Sequence, residues 1–249
     1  MILTEKEQIA RSKVCLALDN FHHFHEVRSC IEELSPVAGM FKIGKELFTR
    51  FGPQVVEVVR KSGAEVFLDL KYHDIPNTVK KAACAATELG VFVFDVHASG
   101  GLAMMRAALE GSLEAVDAYD VRLPRIIGVT ILTSIDRQVL NHEIRIPGSV
   151  EEQVLHLASL TKESGLHGIV CSAADLSAIT AELPADFLYV TPGIKGPNTA
   201  AGSDQKRVFS PRNAVQDGAS ILVIGRAITA AADRLQAGKD LLEDIAQVL

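Results

Sequence analysis

The sequence predicts an α/β protein that folds as one (β/α)₈ barrel. Its 249 residues match the roughly 250 residues that such a barrel needs. Short apolar runs recur along the chain, and a turn follows each of them. Aliphatic runs of this length are typical of strands that are buried on both faces, as in parallel sheets. The eight runs are residues 14–18, 40–44, 65–70, 91–96, 125–129, 168–171, 187–190 and 221–225.

Segments with helical periodicity lie between most of these runs, for example residues 53–62, 78–89, 102–117 and 150–164. Strand–helix alternation repeated eight times favours a closed parallel barrel over a doubly wound open sheet. No G-x-G-x-x-G motif follows the first run, which weakens the open-sheet alternative further. No linker or change of composition marks a boundary, so residues 1–249 are interpreted as a single barrel domain.

Composition excludes several classes of partner. The chain has 25 basic and 31 acidic residues and a net charge of −6, which argues against nucleic acid or an anionic membrane as the partner. Its four cysteines are scattered and do not form a C-x-x-C pair, so we expect free thiols in a reducing compartment. The N-terminus lacks the pattern of a signal peptide, and no apolar stretch approaches the ~20 residues of a membrane span. We therefore expect a cytoplasmic protein.

The most informative stretch is residues 67–78, Phe-Leu-Asp-Leu-Lys-Tyr-His-Asp-Ile-Pro-Asn-Thr. Asp69 and Lys71 lie two residues apart on a strand, so we expect their side chains on the same face. Asp74 follows just past the strand end. Carboxylates on both sides of a lysine favour its charged form. A structural reading is a buried salt bridge with Asp74 as a helix cap, and a functional reading is a charged active site.

Two further charges favour the functional reading. Lys42 lies on the second predicted strand, next to the third strand in a barrel, and Asp19 follows the first strand. With Asp69, Lys71 and Asp74 these residues would form an alternating array at the carboxyl ends of three consecutive strands. A lone buried charge is costly, and stability alone poorly explains five charges at the face where barrel enzymes do chemistry.

The end of the barrel also carries a predicted phosphate site. In barrels, phosphate is commonly bound by the loops after strands seven and eight. Gly225 permits a close approach of the backbone, and Arg226 offers a planar fork for an anion. The helix that follows would direct backbone N–H groups at the phosphate. The loop of residues 192–204, rich in turn residues, follows the seventh strand and is interpreted as a lid or binding loop.

Motifs along the whole chain resemble those of bacterial orotidine 5′-phosphate decarboxylases, in family order. They are Leu16-Ala-Leu-Asp19, Phe41-Lys-Ile-Gly44, Leu68-Asp-Leu-Lys-Tyr-His-Asp-Ile-Pro-Asn-Thr78, Val96-His-Ala-Ser-Gly-Gly101, Val129-Thr-Ile-Leu-Thr-Ser134, Val190-Thr-Pro-Gly-Ile194, Asp204-Gln205 and Val223-Ile-Gly-Arg226. The resemblance implies decarboxylation of orotidine 5′-phosphate to UMP in pyrimidine biosynthesis, without a cofactor or a metal.

The resemblance also implies roles for the charged residues. Lys71 would stabilise the carbanion left at C6 and then protonate it, and Asp69 would lie beside the departing carboxylate. Lys42 would bridge the acids and contact the ribose, and Asp19 would accept a hydrogen bond from a ribose hydroxyl. In the family, the residues matching Asp74 and Thr78 come from the partner subunit, which implies a homodimer with shared sites.

Three loop residues complete the expected substrate site. Gln205 would hydrogen-bond the phosphate and hold the lid on the pyrimidine. Thr133 would meet the base edge, with Ser134 as the alternative if the register shifts by one. Lys195 stands where bacterial relatives usually have arginine. Lysine keeps the charge but lacks the bidentate fork, so Lys195 is expected to contact phosphate with a different geometry.

Other readings remain open on the sequence alone. Sugar-phosphate decarboxylases and aldolases on the same scaffold share Asp-x-Lys-x-x-Asp but hold Mg²⁺ with it. A non-catalytic phosphate-binding protein is a third possibility, which the complete charged array disfavours. His22, His23 and His25 are interpreted as solvated surface residues and not as a metal site. Asp95 and His97 are assigned to packing and hydrogen bonding at the barrel mouth.

Overall fold

The computed structural model describes residues 3–184, 186–194 and 210–249. Within these residues, parallel strands close into a barrel in which each strand pairs with the next and the eighth pairs with the first. The strands are β1 (Val14–Leu18), β2 (Met40–Gly44), β3 (Glu65–Tyr72), β4 (Val93–His97), β5 (Arg125–Val129), β6 (Gly168–Val170), β7 (Leu188–Pro192) and β8 (Ile221–Ile224). The predicted fold class is confirmed.

Helices cover the outside of the barrel in the described part of the chain. They are α1 (Glu5–Lys13), α2 (Phe24–Leu34), α3 (Lys45–Phe51), α4 (Gln54–Lys61), α5 (Pro76–Glu88), α6 (Gly101–Tyr119), α7 (Val150–Glu163), α8 (Leu176–Thr180), α9 (Pro211–Gln216), α10 (Arg226–Thr229) and α11 (Arg234–Ala246). Local chemistry fixes several starts. Ser149 and Glu152 form a capping box before α7, and Pro76 occupies the first turn of α5. No helix in the described ranges is long and apolar enough to cross a membrane.

The apolar residues form two layers. The larger layer lies between the strands and the helices, so the strands are buried on both faces, as their continuous apolar runs predicted. The second layer fills the barrel interior. Its buried members are Cys15, Ala17, Met40, Phe67, Val93, Ile127, Val190, Ile221 and Val223.

The strand bounds differ from the predicted ones by one or two residues at several ends, including those beside an irregularity of the sheet. The third strand runs two residues beyond its predicted end, to Tyr72, and the fourth begins at Val93 and not at residue 91. The pairing of β3 with β4 shifts register between Leu68 and Tyr72. Extra residues on one strand of a pair leave no mark on the apolar pattern, so the irregularity was not predicted.

Gly111 on α6 provides a test of the packing of α5 against α6. A Cβ at this position would overlap the backbone carbonyl of Lys80 on α5. Alanine has a helix propensity about 1 kcal/mol more favourable than that of glycine. The overlap with the Lys80 carbonyl would nevertheless force α5 and α6 apart. We expect Gly111→Ala to lower the free energy of unfolding by about 2 kcal/mol in urea titration. The control Leu113→Ala, at an exposed position of the same helix, should change it by about 0.5 kcal/mol or less. Equal stability of both variants would contradict this packing.

Candidate active site

The charged site is built on the layer of side chains above the apolar barrel interior. Lys42, Asp69 and Asp95 each lie two residues beyond an apolar residue of the interior layer. Successive side chains of a strand point to opposite faces, so these three charged side chains also point into the barrel. They lie closer than the apolar interior layer to the carboxyl ends of β2, β3 and β4, where barrel enzymes place their catalytic groups.

The charges alternate in sign around the barrel mouth. The Lys42 ammonium lies 3.3 Å from a carboxylate oxygen of Asp19 and 3.2 Å from Oδ2 of Asp69. The other oxygen of Asp69 accepts a hydrogen bond from Nζ of Lys71. Nζ of Lys71 also lies 3.7 Å from Oδ2 of Asp95. Both oxygens of Asp69 are therefore occupied, each by a different lysine.

The pKa values follow from this pairing. Burial alone would raise the pKa of Asp69, but contacts with Asp95, Lys42 and Lys71 outweigh it and lower the pKa to about 2. Burial would likewise lower the pKa of Lys42, but Asp69 and Asp19 raise it above its ordinary value. Lys42 and Asp69 are thus charged at neutral pH.

Gly44, at the end of β2, makes room for the Lys42 ammonium. A Cβ at this position would lie 3.0 Å from Nζ of Lys42 and 3.6 Å from a carboxylate oxygen of Asp19. A larger residue would therefore crowd the pair that begins the array.

Lys71 contacts Asp69 from a backbone conformation that the strand pattern did not predict. The contact between the two side chains is present, as expected for residues on one face. The backbone is not a regular strand there, however. Lys71 adopts φ of 49°, in the left-handed region that non-glycine residues rarely occupy, and it lies within the register shift between β3 and β4.

Asp95 and His97 were assigned to hydrogen bonding at the barrel mouth. Asp95 does accept a hydrogen bond of 2.7 Å from the backbone N–H of Lys71, but it is also completely buried beside the array. The signal that could have placed it there is its two-residue spacing from the interior Val93. His97 packs against His73, with ring centroids 5.3 Å apart. Burial, followed by His73, Lys45 and Lys71, lowers the pKa of His97 to about 4, so this ring is neutral at neutral pH.

Asp74 and Thr78 do not join the array within one chain. Both are exposed. Asp74 accepts a hydrogen bond from the backbone N–H of Ile75, and it makes no side-chain cap on α5, whose cap residue is Ile75. The side chain of Ile75 is 66% exposed, an unusual environment for isoleucine. The segment that carries Asp74 is therefore an exposed surface with an apolar residue within it.

The remaining predicted residues lie on the rim or outside the described residues. Thr133 and Ser134 are exposed in the segment after β5, and Arg226 is exposed at the first position of α10, directly after Gly225. A Cβ at Gly225 would be 3.8 Å from Cβ of Ala17, an ordinary contact. Packing among the described residues thus does not require glycine at this position. Lys195 and Gln205 lie outside the described residues.

In the ranges that the structure describes, no three His, Cys, Asp or Glu side chains are grouped so that they could hold a metal ion. His22, His23 and His25 are exposed around the start of α2, and His23 stacks on His25. The array itself presents two fixed ammonium groups, which can stabilise negative charge that develops in a transition state.

A closed parallel barrel with a lysine–aspartate array at the carboxyl ends of its strands defines a (β/α)₈-barrel enzyme. Residues 12–241 match the orotidine 5′-phosphate decarboxylase / HUMPS family. The chain is 44% identical to an orotidine 5′-phosphate decarboxylase of Syntrophus aciditrophicus (strain SB) over 247 residues, which cover 99% of this chain and 97% of that protein. It is 47% identical to an orotidine 5′-phosphate decarboxylase of Trichlorobacter lovleyi, over 95% of this chain and 96% of that protein.

A solved structure agrees with these relatives. The crystal structure of orotidine 5′-phosphate decarboxylase from Lactobacillus acidophilus superposes with a TM-score of 0.82 at 35% identity, covering 93% of this chain and 98% of that chain. The chain belongs to the orotidine 5′-phosphate decarboxylase / HUMPS family.

The buried position of Lys42 has a measurable consequence for stability. Lys42→Met removes one of the two cations that pair with Asp69 and leaves a buried carboxylate underpaired, which should cost about 3 kcal/mol of unfolding free energy. Lys61→Met is the matched control, because Lys61 pairs with Glu57 on the exposed face of α4 and should cost less than about 0.5 kcal/mol. The measurement is urea unfolding at neutral pH. Similar losses in both variants would show that Lys42 does not stabilise Asp69.

Proposed function

We propose that the protein decarboxylates orotidine 5′-phosphate to UMP in pyrimidine biosynthesis, as a cofactor-free cytoplasmic homodimer. The observation that carries the mechanism is the Asp69 carboxylate, which holds Lys71 on one oxygen and Lys42 on the other. A reaction that develops negative charge on carbon, without a cofactor to delocalise it, requires a fixed cation. The family and its named relatives support the reaction itself.

The chemical step assigns one role to each central group. The bond between C6 and the substrate carboxylate breaks, CO₂ leaves, and the electron pair stays on C6. The ammonium of Lys71 stabilises this pair electrostatically and then gives a proton to C6, after which the neutral amine regains a proton from solvent. Asp69 orients Lys71, and its negative charge beside the substrate carboxylate favours loss of that group as neutral CO₂.

The groups around the array would bind the rest of the nucleotide. Lys42 and Asp19 are neighbours at the mouth and are assigned to the ribose hydroxyls. Arg226 and the backbone of Gly225 are assigned to the phosphate, because they follow β8 at the end of the barrel where such folds commonly bind phosphate. Thr133 is assigned to the base edge and Lys195 to the phosphate, and Gln205 is assigned to the phosphate and to holding the lid on the pyrimidine. The Mg²⁺-dependent sugar-phosphate reaction gains no specific support.

The assignment of Lys71 is tested by separating catalysis from binding. Purified protein freed of metal by chelation should convert orotidine 5′-phosphate, followed by ultraviolet absorbance. Lys71→Ala should lower kcat by roughly a thousandfold or more, because it removes the group aimed at the transition state. UMP affinity should change little, since the phosphate and ribose contacts remain. A requirement for Mg²⁺ would favour the sugar-phosphate reaction, and a Lys71→Ala variant within about tenfold of wild type would refute the role of Lys71.

The phosphate assignment predicts a dependence on substrate. Arg226→Ala should lower kcat/KM for orotidine 5′-phosphate by roughly 10- to 100-fold, as expected when a charged hydrogen bond is lost. The same variant should act on the nucleoside orotidine, which lacks phosphate, at the wild-type rate. Arg226→Lys keeps the charge but lacks the bidentate fork. Its kcat/KM for orotidine 5′-phosphate should therefore lie between those of wild type and Arg226→Ala. An equal loss on both substrates would mean that Arg226 does not bind phosphate.

The exposed Asp74 segment leads to a prediction about subunits. If Asp74 acts in the neighbouring site, Lys71→Ala and Asp74→Ala dimers should each be nearly inactive, but subunit exchange should restore activity. Random pairing makes about half of the dimers mixed, and one site in each mixed dimer is complete, so about a quarter of all sites should recover.

The matched control uses two residues of the same site. Mixing Lys71→Ala with Asp69→Ala should restore nothing, because those side chains contact each other within one chain. Demonstrated subunit exchange without recovery in the Asp74 pair would refute the shared site and leave the decarboxylase assignment intact.

A further inference from the structure

Asp95 is a carboxyl group in an environment that disfavours a charge. Its side chain has no exposed surface, and its backbone partner on β5 is the apolar Ile127. The titratable groups that face it are Asp69, Lys71 and Tyr72, all on β3. Taking a carboxylate out of water is unfavourable unless it is fully paired, so each oxygen of Asp95 needs a hydrogen-bond partner.

The first oxygen holds the backbone of Lys71. Asp95 lies opposite the register shift, where β4 has one residue between Phe94 and Val96 while β3 has three between Leu68 and Tyr72. Its Oδ1 accepts the backbone N–H of Lys71 at 2.7 Å. The left-handed region is unfavourable for a non-glycine residue, so this hydrogen bond helps to hold Lys71 in its strained conformation.

The second oxygen has no donor if Asp95 is ionised. Oδ2 is buried and accepts no hydrogen bond from the described residues, and Nζ of Lys71, at 3.7 Å, is beyond hydrogen-bond distance. Its neighbour is the carboxylate of Asp69, which is also only an acceptor. A proton on Oδ2 resolves this conflict, because the hydroxyl can then donate to Asp69.

The electrostatics agree with that geometry. Burial, followed by the charge of Asp69, raises the pKa of Asp95 well above its ordinary value. Two neighbouring carboxyl groups in one site share a proton because both cannot ionise cheaply. With Asp95 neutral, Asp19, Lys42, Asp69 and Lys71 carry two negative and two positive charges.

We infer that Asp95 is a positioning residue for Lys71, acting as a neutral carboxylic acid that accepts the Lys71 backbone N–H and donates its own proton to Asp69. The kinetic consequence rests on the proposed function, while the protonation state does not. A neutral Asp95 leaves the Lys71 ammonium held by a single carboxylate of its own chain, Asp69. An ionised Asp95 would be a second anion of the same chain competing for that ammonium.

Two substitutions separate this role from simple packing. Asp95→Asn preserves both hydrogen bonds, because the amide oxygen can accept from Lys71 and the amide N–H can donate to Asp69. Its kcat should stay within about tenfold of wild type. Asp95→Ala removes both hydrogen bonds and should lower kcat by about 100-fold, with UMP affinity within about threefold of wild type. Rescue by asparagine together with an unchanged affinity would support positioning by a neutral group.

Two kinetic outcomes would overturn the inference. If Asp95→Asn lost as much kcat as Asp95→Ala, the charge and not the hydrogen bonding would matter. If Asp95→Ala kept wild-type kcat, Asp95 would have no positioning role.

Infrared spectroscopy tests protonation without relying on activity or on a folded alanine variant. At neutral pH, the difference spectrum of wild type minus Asp95→Asn should contain the C=O stretch of a protonated carboxylic acid, shifted in D₂O. Absence of that band in wild type, with a carboxylate band in its place, would overturn the neutral-acid role. This measurement needs no substrate, so it remains valid even if orotidine 5′-phosphate is not turned over. A failure of the neutral-acid inference can therefore be distinguished from a failure of the proposed decarboxylase function.

Discussion

The site depends on one carboxylate. Asp69 lies two residues after Phe67 on β3, so its side chain points into the barrel interior as that of Phe67 does. A buried anion is tolerated only when it is paired. Its two oxygens are met by Lys42 from the neighbouring strand and by Lys71 from its own strand. The position of each ammonium is therefore fixed by the need to compensate Asp69, and both cations are oriented before any substrate arrives.

The barrel and the charged residues of the array could be predicted from the sequence, but the backbone conformation that positions Lys71 could not. Eight apolar runs predicted the closed sheet, and the spacing of Asp69 and Lys71 predicted their contact. The left-handed Lys71 and the register shift beside it depend on pairing between β3 and β4, which no local pattern encodes. The spacing of Asp95 from Val93 could have placed its side chain in the interior, but its contact with the backbone N–H of Lys71 could not be predicted, because that contact depends on the register shift. Asp74 makes no contact with the array in its own chain, so a single chain does not test its assignment.

The strained backbone of Lys71 lowers the stability of the fold at the residue proposed to react. Lys71 occupies a strained backbone conformation, and strain of this kind persists only where the surroundings determine it fully. Asp69 fixes the end of the side chain, and Asp95 fixes the backbone N–H. Removing either should leave Lys71 free to relax. Under the proposed mechanism, the conformation of β3 would therefore determine how precisely the ammonium is placed at C6.

The central claim is that the Lys71 ammonium stabilises a carbanion at C6 and exchanges a proton with it. The most direct test is hydrogen–deuterium exchange at C6 of UMP, followed by proton NMR in D₂O, because it involves the same carbanion without loss of CO₂. Wild-type protein should replace the C6 proton with deuterium, and Lys71→Ala at saturating UMP should not. Undiminished exchange in Lys71→Ala would contradict the claim, since another group would then be stabilising and protonating C6.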